Sequence, residues 1–361
     1  MSVSAEPERD RAVLPSVSIV FLVFNRREEL AVSLRRMLEA DDLSADLLEV
    51  IVVDNASHDG SAEMVRQSFP SVRVIERATN SGVSGWNDGF AAATGDWVLA
   101  LDDDCYLPPG GLREALRAAQ EHRADLVSFS VSSIFEPNFR FTEAYRTGLL
   151  AFWGCAVLIR RSVLDELKGY DPEIFVWANE VELMLRFFDA GHRHLHLPEV
   201  TAVHMKQPGD GEGSDYVTDR AYPLNARHWA YVAAKLLRRR DAAAALLALL
   251  ATFVRAAVRV HPSALRALWP AVGGFRHGLR HRRPVAADVS ATYRHNFHSF
   301  VGPWWYSRPA LTILREAPGR LARAAVGRPN PKPAGRGAES FARRERFYPK
   351  SASVLQLRAL D

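Results

Sequence analysis

The sequence predicts an α/β fold, with a mostly parallel sheet that carries helices on both faces, followed by a helical C-terminal region. Three observations favour this class. Short apolar runs rich in β-branched residues alternate with helical stretches through the first 206 residues. Several of these runs end in polar residues, as at Asp54 and Asp102. Beyond residue 222 the chain is rich in Ala and Leu, with recurring Arg. Alternating strands and helices are typical of a parallel sheet covered on both faces.

Each predicted strand is a short apolar run bounded by turn or polar residues. The predicted strands are 16–24, 49–53, 72–76, 97–101, 126–131, 156–159 and 192–197. The predicted helices are 28–40, 59–69, 111–122, 162–167, 180–189, 225–240, 241–260 and 262–283. A glycine-rich turn at 80–89 leads into a further short helix. Gly191 suits the left-handed position that ends the helix 180–189.

Composition divides the chain into five segments. We expect a disordered leader at 1–14, an α/β domain at 15–206, a mobile Gly/Asp-rich loop at 207–222, a basic helical region at 223–326 and a Pro/Gly/Arg-rich tail at 327–361. The leader has no apolar segment, so no signal peptide is expected. The longest apolar run, Ala242–Val254, is shorter than the roughly 20 residues that a transmembrane helix needs.

The formal net charge of +4 conceals a strong asymmetry. Residues 1–219 hold 20 Lys and Arg against 36 Asp and Glu, net −16, whereas residues 220–361 hold 26 against 6, net +20. A basic half of this kind suits an anionic surface, either a membrane or a nucleic acid. Its Arg residues alternate with long Leu and Ala runs, which favours an interfacial helix. Cys105 and Cys155 fit a reducing compartment and form no disulfide framework.

An acidic cluster, which we define as Asp102, Asp103 and Asp104, follows the strand 97–101. Ligands bind at this end of the strands in open α/β sheets. Side chains alternate along a strand, so Asp102 and Asp104 share one side and Asp103 does not. Two carboxylates on one side would hold Mg²⁺ or Mn²⁺, which are often shared with substrate phosphates. The alternative is a solvated acidic turn.

Five motifs occur in order along the chain: Val-Phe-Asn-Arg, Val-Val-Asp-Asn-Ala-Ser, Asn-Ser-Gly, Leu-Asp-Asp-Asp and Trp-Gly-Cys-Ala-Val-Leu-Ile-Arg. Their order and spacing resemble the inverting family-two glycosyltransferases of GT-A fold, over about residues 16–206. The glycine-rich stretch together with the triple Asp is most similar to the rhamnosyl- and galactofuranosyltransferase-like members. The resemblance implies a nucleotide-sugar donor, a divalent metal ion and a catalytic base.

The resemblance also assigns residues to nucleotide-sugar binding. Asp54 would accept a hydrogen bond from the donor's nucleobase, with a helix cap or Asx turn as the alternative role. Asn25 would line the nucleotide cleft, or else cap the helix that follows it. Asp102 and Asp103 belong to the same set, and Asp102 would contact the ribose.

Other members of this set lie in the glycine-rich turn and before the strand 156–159. Asn80, Gly82 and Gly85 would allow the backbone to approach a diphosphate or sugar closely, although plain turn chemistry explains such residues equally well. Trp153 would stack on a sugar ring, or pack in the core.

The resemblance implies a metal site for Mg²⁺ or Mn²⁺. Asp104 would ligate the ion, and Asp102 would contribute directly or through the water shell of the ion. His204 matches a position that supplies a further ligand in many members. A lone histidine is as often structural, which is the alternative for His204.

The catalytic base is expected in the segment Phe-Val-Trp-Ala-Asn-Glu-Val-Glu-Leu at 175–183. The family pattern has Glu-Asp–x–Asp where this chain has Asn179, Glu180 and Glu182. Glu180 and Glu182 point nearly opposite ways on a helix, so one cleft cannot use both. Asn179 suits an N-cap with Glu182 three residues later, which is a capping-box pattern. We therefore predict Glu180 as the base, with helix-dipole stabilisation as its alternative role.

The sequence thus predicts an inverting, metal-dependent glycosyltransferase that uses a nucleotide-sugar, with UDP- or dTDP-sugars favoured. The acceptor would be a hydroxyl of a glycan or a lipid-linked molecule in cell-surface glycan or glycolipid synthesis. We expect a cytoplasmic protein, docked peripherally on the anionic inner face of the membrane and without a nucleic-acid partner. Whether it forms a homo-oligomer stays open. The alternatives are a nucleotidyltransferase, although residues 16–27 lack the glycine-rich loop of that class, and a nucleic-acid-binding protein that uses the basic half.

Overall fold

The computed structural model describes residues 14–40, 43–133, 152–205, 221–259 and 262–300. The predicted leader, apart from its last residue, and the predicted tail lie outside these residues. The same is true of the predicted loop at 207–222, apart from its last two residues, and of the end of the basic helical region.

The strands follow the apolar runs closely, and two of them depart from prediction. The strands are β1 Val17–Val23, β2 Leu48–Asp54, β3 Arg73–Glu76, β4 Trp97–Asp102, β5 Cys105–Tyr106, β6 Leu126–Ser133, β7 Ala156–Arg160 and β8 His194–His204. The two-residue strand β5 was not predicted, because so short an element leaves no periodic pattern. Strand β8 runs seven residues past its predicted end at 197, through Pro198, with a register irregularity opposite Phe129 and Ser130.

The helices confirm the predicted alternation. In the α/β region they are α1 Arg27–Glu39, α2 Ser61–Ser68, α3 Trp86–Ala92, α4 Gly111–Glu121, α5 Arg161–Leu167 and α6 Asn179–Asp189. The C-terminal helices are α7 Ala221–Leu236, α8 Arg239–Arg259, α9 Leu268–Arg280 and α10 Ala287–Phe300. Short 3-10 turns cover Gly82–Gly85 and Pro262–Ala267. Gly191 adopts a φ of +83° just after α6, as predicted for the end of that helix.

The eight strands form one sheet in the order β3-β2-β1-β4-β7-β6-β8-β5. The first four are mutually parallel, and β6 is parallel to β8. Strand β7 is antiparallel to both of its neighbours, and β5 is antiparallel to β8. The predicted α/β class with helices on both faces is therefore confirmed, with a sheet that is more mixed than a mostly parallel one.

Both faces of the sheet are buried. Ile19 and Phe21 of β1 face a core formed with α1, α2 and α4, whereas Val20 faces a core formed with α3, α5 and α6. This two-sided burial explains why the strands appear in the sequence as continuous apolar runs rather than as alternating ones. The second core continues without a break into the C-terminal helices, where Trp229 and Tyr293 belong to it. The C-terminal helices therefore extend the α/β core.

Helices α7 and α9 pack closely enough to require glycine. A Cβ on Gly274 would lie 2.1 Å from the carbonyl oxygen of Arg227, and one on Gly278 would lie 2.4 Å from that of Tyr231. Both carbonyls belong to α7, so the two backbones approach each other without intervening side chains.

Helix α8 is longer than the apolar run within it. The segment Arg239–Val258 has 20 residues and a mean hydropathy of 1.8, and it is long and apolar enough to cross a membrane by these criteria. The prediction that no segment reaches this length is therefore wrong, because the helix extends the run Ala242–Val254 at both ends. About 44% of its apolar window is buried inside the protein, and core helices of soluble proteins can meet the same criteria of length and hydropathy.

We predict that Gly274→Ala lowers the free energy of unfolding by about 1–3 kcal/mol, because its methyl group would collide with the Arg227 carbonyl oxygen. Gly273→Ala is the matched control. A Cβ there meets no described atom within 4 Å, and alanine favours helix by up to about 1 kcal/mol. Urea unfolding followed by circular dichroism measures both. Equal effects of the two substitutions would contradict the close approach of α7 and α9.

Candidate active site

The acidic cluster lies at the carboxyl end of β4, as predicted, and the unpredicted strand β5 gives it a partner. Asp102 ends β4, and Asp104 immediately precedes β5. Strand β5 pairs with β8 so that Cys105 lies opposite His204. His204 Nε2 therefore donates a hydrogen bond to Asp104 Oδ1 at 3.0 Å. Ligand atoms of Asp102, Asp104 and His204 all lie within 4.8 Å of one another.

This set of residues fits a divalent metal ion. Two carboxylates and one imidazole are ligands that Mn²⁺ accepts, and the carboxylates suit Mg²⁺. His204 is buried, and its Nδ1 has no hydrogen-bond partner among the described residues. The ring is therefore oriented toward the acidic cluster by its contact with Asp104, rather than by a structural hydrogen-bond network on its other side.

Arg26 lies across the acidic cluster. Its Nη1 is 2.5 Å from Asp104 Oδ2 and 3.9 Å from Asp103 Oδ1. Burial would raise the pKa of Asp104, but His204 and Arg26 outweigh it, so that pKa lies below its usual value. Burial, together with the charge of Asp104, holds the pKa of Asp103 well above its usual range. Arg26 was missed as a site residue. Its signals in the sequence are its place after a buried strand and at the end of the motif Val-Phe-Asn-Arg.

Asn25 and Asp54 organise the ends of β1 and β2. Asp54 accepts a hydrogen bond from the Ser57 N–H, three residues on, at 2.7 Å. This local backbone contact is one residue longer than the Asx turn predicted as the alternative role, and it holds the loop after β2. Asn25 has a φ of 54°, and its Oδ1 accepts from the His58 N–H at 2.7 Å. Helix α1 has Arg26 at its N-cap position, and the first N–H of the helix, that of Arg27, donates to Asp59 Oδ2 at 2.9 Å rather than to Asn25. The alternative role of Asn25 as a helix cap is therefore wrong, because its left-handed backbone turns the side chain toward the loop after β2.

The glycine-rich turn is tied to that same loop by an amide pair. Asn55 Nδ2 donates to Asn80 Oδ1 at 2.9 Å, and Asn80 Oδ1 also accepts from the Gly82 N–H at 2.8 Å. Gly82 has a φ of +62°, and a Cβ there would lie 1.8 Å from Phe175 O. A Cβ on Gly85 would lie 2.7 Å from Leu22 Cδ1. Contacts within the protein are therefore sufficient to explain both glycines. Asn55 was missed, although it lies within a motif.

Glu180 lies in the first turn of α6, against the Trp-Gly-Cys segment. A Cβ on Gly154 would lie 2.3 Å from Glu180 Oε1, so any larger residue at 154 would force this carboxylate to move. Burial, with a further contribution from the charge of Asp102, raises the pKa of Glu180 to about 7. Trp177 and Ala178 precede it with φ of 59° and 62°, a conformation that is costly for residues other than glycine. Backbone strain of this kind is concentrated at functional sites.

Comparisons with known proteins agree with this geometry. Residues 18–177 match the family described as Glycosyl transferase family 2. These residues form a family 2 glycosyltransferase domain. The structure also resembles that of S. aureus TarS 1–349 in complex with UDP-GlcNAc, with a TM-score of 0.58, 18% identity and coverage of 87% of this chain and 92% of that one. This likeness supports the GT-A fold predicted from the sequence.

Two further relatives are more distant in sequence or shorter in overlap. The chain is 24% identical over 262 residues to an N-acetylglucosaminyl-diphospho-decaprenol L-rhamnosyltransferase of Mycobacterium tuberculosis, an overlap that covers 60% of this chain and 81% of that protein. GalNAc-T7, crystallised with UDP, GalNAc and Mn²⁺, matches with a TM-score of 0.52 and 14% identity over 74% of this chain and 56% of its own. The first of these relatives loosely supports the rhamnosyltransferase-like subgroup.

Glu182 of α6 binds the C-terminal helices, and the predicted capping box is wrong. The N-cap position of α6 is Ala178 rather than Asn179, and a methyl side chain cannot cap a helix. Glu182 is fully buried, and its Oε1 accepts a hydrogen bond from Lys235 Nζ at 2.8 Å. Arg186, one turn later, also pairs with it. The side chain turns toward α7 because that helix supplies a cation, and the partner is 53 residues away in the sequence.

The segment just before Glu180 is held from both sides. Lys235 also pairs with Asp171 Oδ2 at 2.5 Å. His228 of α7 donates from Nδ1 to Val176 O at 2.7 Å, and its Nε2 accepts from the Phe175 N–H at 3.4 Å. Burial lowers the pKa of His228, which keeps the ring in the neutral form that this pair of bonds requires. From the other side, the Val83 N–H of the glycine-rich turn donates to Phe175 O at 2.8 Å.

Trp153, expected to stack on a sugar ring or to pack in the core, is half-buried, and so is Trp177. Trp153 packs at the margin of the core that contains Leu101 and Cys155, and Trp177 lies in the strained segment before α6. Each side chain therefore has both a packed part and an accessible part.

We predict that Lys235→Met lowers the free energy of unfolding by about 3 kcal/mol, because it leaves buried carboxylates without their cation. This value is at the low end of the loss in stability that is usual when one partner of a buried ion pair is removed, because Arg186 still pairs with Glu182. Lys168→Met is the matched control on an exposed residue and is expected to change stability by less than about 0.5 kcal/mol. Urea unfolding at pH 7.5 measures both variants, and an equal loss in the two would refute the role of this buried pairing.

Proposed function

We propose that this glycosyltransferase moves a sugar from a nucleotide-sugar donor to an acceptor hydroxyl with inversion at the anomeric carbon. The observation that carries the proposal is the position of Glu180, a carboxylate with a pKa near 7, beside the cluster of Asp102, Asp104 and His204 in a family 2 domain. A pKa near the working pH is what a general base requires.

The residues divide the work by position. Glu180 takes the proton from the acceptor hydroxyl, so that the oxygen attacks the anomeric carbon on the side opposite the leaving nucleoside diphosphate. Asp102, Asp104 and His204 hold Mg²⁺ or Mn²⁺, which when bound neutralises charge developing on the diphosphate. Asp103 is buried beside these three residues. It helps to fix their positions because it accepts a hydrogen bond from the Phe24 N–H and lies close to the Arg26 guanidinium.

The donor would be bound by residues at the ends of β1 and β2 and in the glycine-rich turn. Asp54 and Asn25 border the nucleobase, and Asn80, Gly82 and Gly85 border the diphosphate and sugar. Complexes of TarS with UDP-GlcNAc and of GalNAc-T7 with UDP support a UDP- or dTDP-linked donor. The name of the mycobacterial relative supports a lipid-linked acceptor. Together with the family match, these likenesses favour glycosyl transfer over a nucleotidyltransferase or a nucleic-acid-binding protein.

A lipid-linked acceptor would require the enzyme to work at a membrane surface, and α8 offers a face for docking. Leu247 and Val254 lie two turns apart on α8, and their side chains are 68% and 45% exposed. Trp269 of α9 is 75% exposed. Arg residues border this face, and residues 220–361 carry a net charge of +20. We therefore propose peripheral docking on an anionic, cytoplasmic membrane face, with the opposite side of α8 packed on the protein.

We predict that Glu180→Gln lowers turnover by about two or more decades, the usual scale for a general base, while donor binding stays intact. Turnover of the unmodified enzyme should rise with pH through about 7, because only the deprotonated carboxylate accepts the proton. Glu182→Gln is the comparison variant. We expect it to lower the free energy of unfolding and to change turnover much less than Glu180→Gln does. Product configuration by NMR tests inversion, and turnover near normal in Glu180→Gln would move the base elsewhere.

We predict that Glu180→Gln is more stable to unfolding than the parent protein at pH 8. A carboxyl whose pKa is raised on folding contributes stability at low pH that is lost as pH rises through the folded pKa. Because Glu180 is half-buried and solvent screens part of the effect, we expect a Tm higher by about 2–4 °C at pH 8 and nearly equal at pH 4. Thermal unfolding at both pH values measures it. An equal gain at the two would show that titration of Glu180 is not its cause.

We predict that the protein floats with vesicles containing phosphatidylglycerol at low salt and is released by high salt. Leu247→Glu/Val254→Glu should abolish flotation, because it places acid on the docking face. Val32→Glu is the matched control, since Val32 is 39% exposed on α1, on the other side of the sheet. Flotation of the double variant like the parent would refute this face. Retention at high salt would instead indicate that α8 inserts.

A further inference from the structure

Arg26 has no assigned part in the reaction, yet it occupies the acidic cluster. It stands at the N-cap position of α1, directly after Asn25, whose left-handed backbone turns the chain at the end of β1. The parallel pairing of β1 with β4 brings this turn beside the end of β4, with Leu22 opposite Asp102. The guanidinium therefore reaches the cluster from a neighbouring strand end rather than from a distant loop.

The contacts of Asp104 show what Arg26 does there. Its Oδ2 lies 2.5 Å from Arg26 Nη1, and its Oδ1 lies 3.0 Å from His204 Nε2. Both oxygens of this carboxylate are thus engaged by protein cations or donors. Asp104 has an exposed side-chain fraction of only 4%, whereas that of Arg26 is 44%. The carboxylate is fixed, and the guanidinium approaches it from the solvent side.

A divalent ion at Asp102, Asp104 and His204 would meet this guanidinium as a competitor. Two cations next to one carboxylate repel each other, and a charge at 3–4 Å in a partly buried place acts strongly. The ion can be accepted only if the guanidinium moves away or if added negative charge compensates both cations. A diphosphate supplies such charge, and arginine is well suited to pair with phosphate oxygens.

We propose that Arg26 is a resident cation that competes with the divalent ion for Asp104, so that metal binds weakly alone and tightly only together with a diphosphate. The inference rests on the proposed function, because it takes Asp102, Asp104 and His204 as the metal site. It makes metal binding conditional on the donor. Without donor, the acidic cluster stays neutralised by Arg26 and does not collect free ions.

The test is Mn²⁺ binding to the full-length protein, with free Mn²⁺ measured by electron paramagnetic resonance. Without nucleotide, Arg26→Met is expected to bind Mn²⁺ at least fivefold more tightly than the parent. Arg27→Met is the matched control, an adjacent exposed arginine, and should stay within twofold of the parent. With UDP added, the parent should gain more Mn²⁺ affinity than Arg26→Met, because UDP then relieves the competition.

Thermal unfolding in EDTA and in Mn²⁺ supplies a second measurement. Arg26→Met should melt lower than the parent in EDTA, since the carboxylates lose their cation, and should recover with Mn²⁺. A variant that lost only a structural contact would not recover. If Arg26→Met does not fold, Arg26→Lys is the substitute, because its single shorter donor should give an intermediate Mn²⁺ affinity.

The outcomes separate the two proposals. Equal Mn²⁺ affinity of the parent, Arg26→Met and Arg26→Lys overturns the role of Arg26 and leaves the metal site intact. Absence of Mn²⁺ binding in all variants, with and without UDP, overturns the metal site of the proposed function and the inference with it. Weaker binding in Arg26→Met would show that Arg26 supports the site rather than competing for it.

Discussion

Three consecutive carboxylates at the end of a buried strand repel one another, and the arrangement of the sheet supplies the groups that offset this repulsion. Arg26 comes from the end of β1, which is parallel to β4. His204 comes from the end of β8, aligned by its pairing with β5. Like charges in a partly desolvated place are costly, so the carboxylates need nearby groups that offset their charge. Arg26 and His204 are those groups, and a separate element of the sheet holds each of them in place. Two strand pairings on opposite sides of the cluster therefore converge on one short turn.

The same electrostatics separates two glutamates that are two residues apart on one helix. Glu180 faces the acidic cluster and is half-buried, so that burial and the charge of Asp102 raise its pKa to about 7. Glu182 is more deeply buried, but it is paired with Lys235 and Arg186 and so has a structural role. Environment rather than residue type thus makes one carboxylate able to exchange a proton near neutral pH. The helix places both roles within a single turn, and the adjacent strained residues fix the direction in which it starts.

The sequence predicted what is local or periodic, and it failed where a partner is distant or an element is very short. The buried strands and the polar residues at their ends follow from apolar runs, so the convergence of Asp102 and Asp104 was accessible. His204 came from the family resemblance, because β5 has two residues and no pattern. The capping box predicted at Asn179 and Glu182 satisfied every local rule, yet the Glu182 carboxylate pairs with Lys235 on α7 instead. Gly82 was given two alternatives, close approach to a ligand or plain turn chemistry, and neither anticipated its close contact with Phe175 O, which no local pattern indicates.

These distant contacts connect the C-terminal helices to the candidate active site. Lys235 and His228 of α7 hold Asp171, Val176 and Phe175, and Phe175 in turn contacts the glycine-rich turn beside the donor residues. Helix α7 packs directly on α8, which carries the exposed apolar face. A shift of α7 would thus be felt at the start of α6 and at the glycine-rich turn together, because packed interiors transmit displacement rather than absorb it. If α8 rests on a membrane, the surface that presents a lipid-linked acceptor is connected to Glu180 through one helix, so docking and catalytic geometry are set by the same contacts.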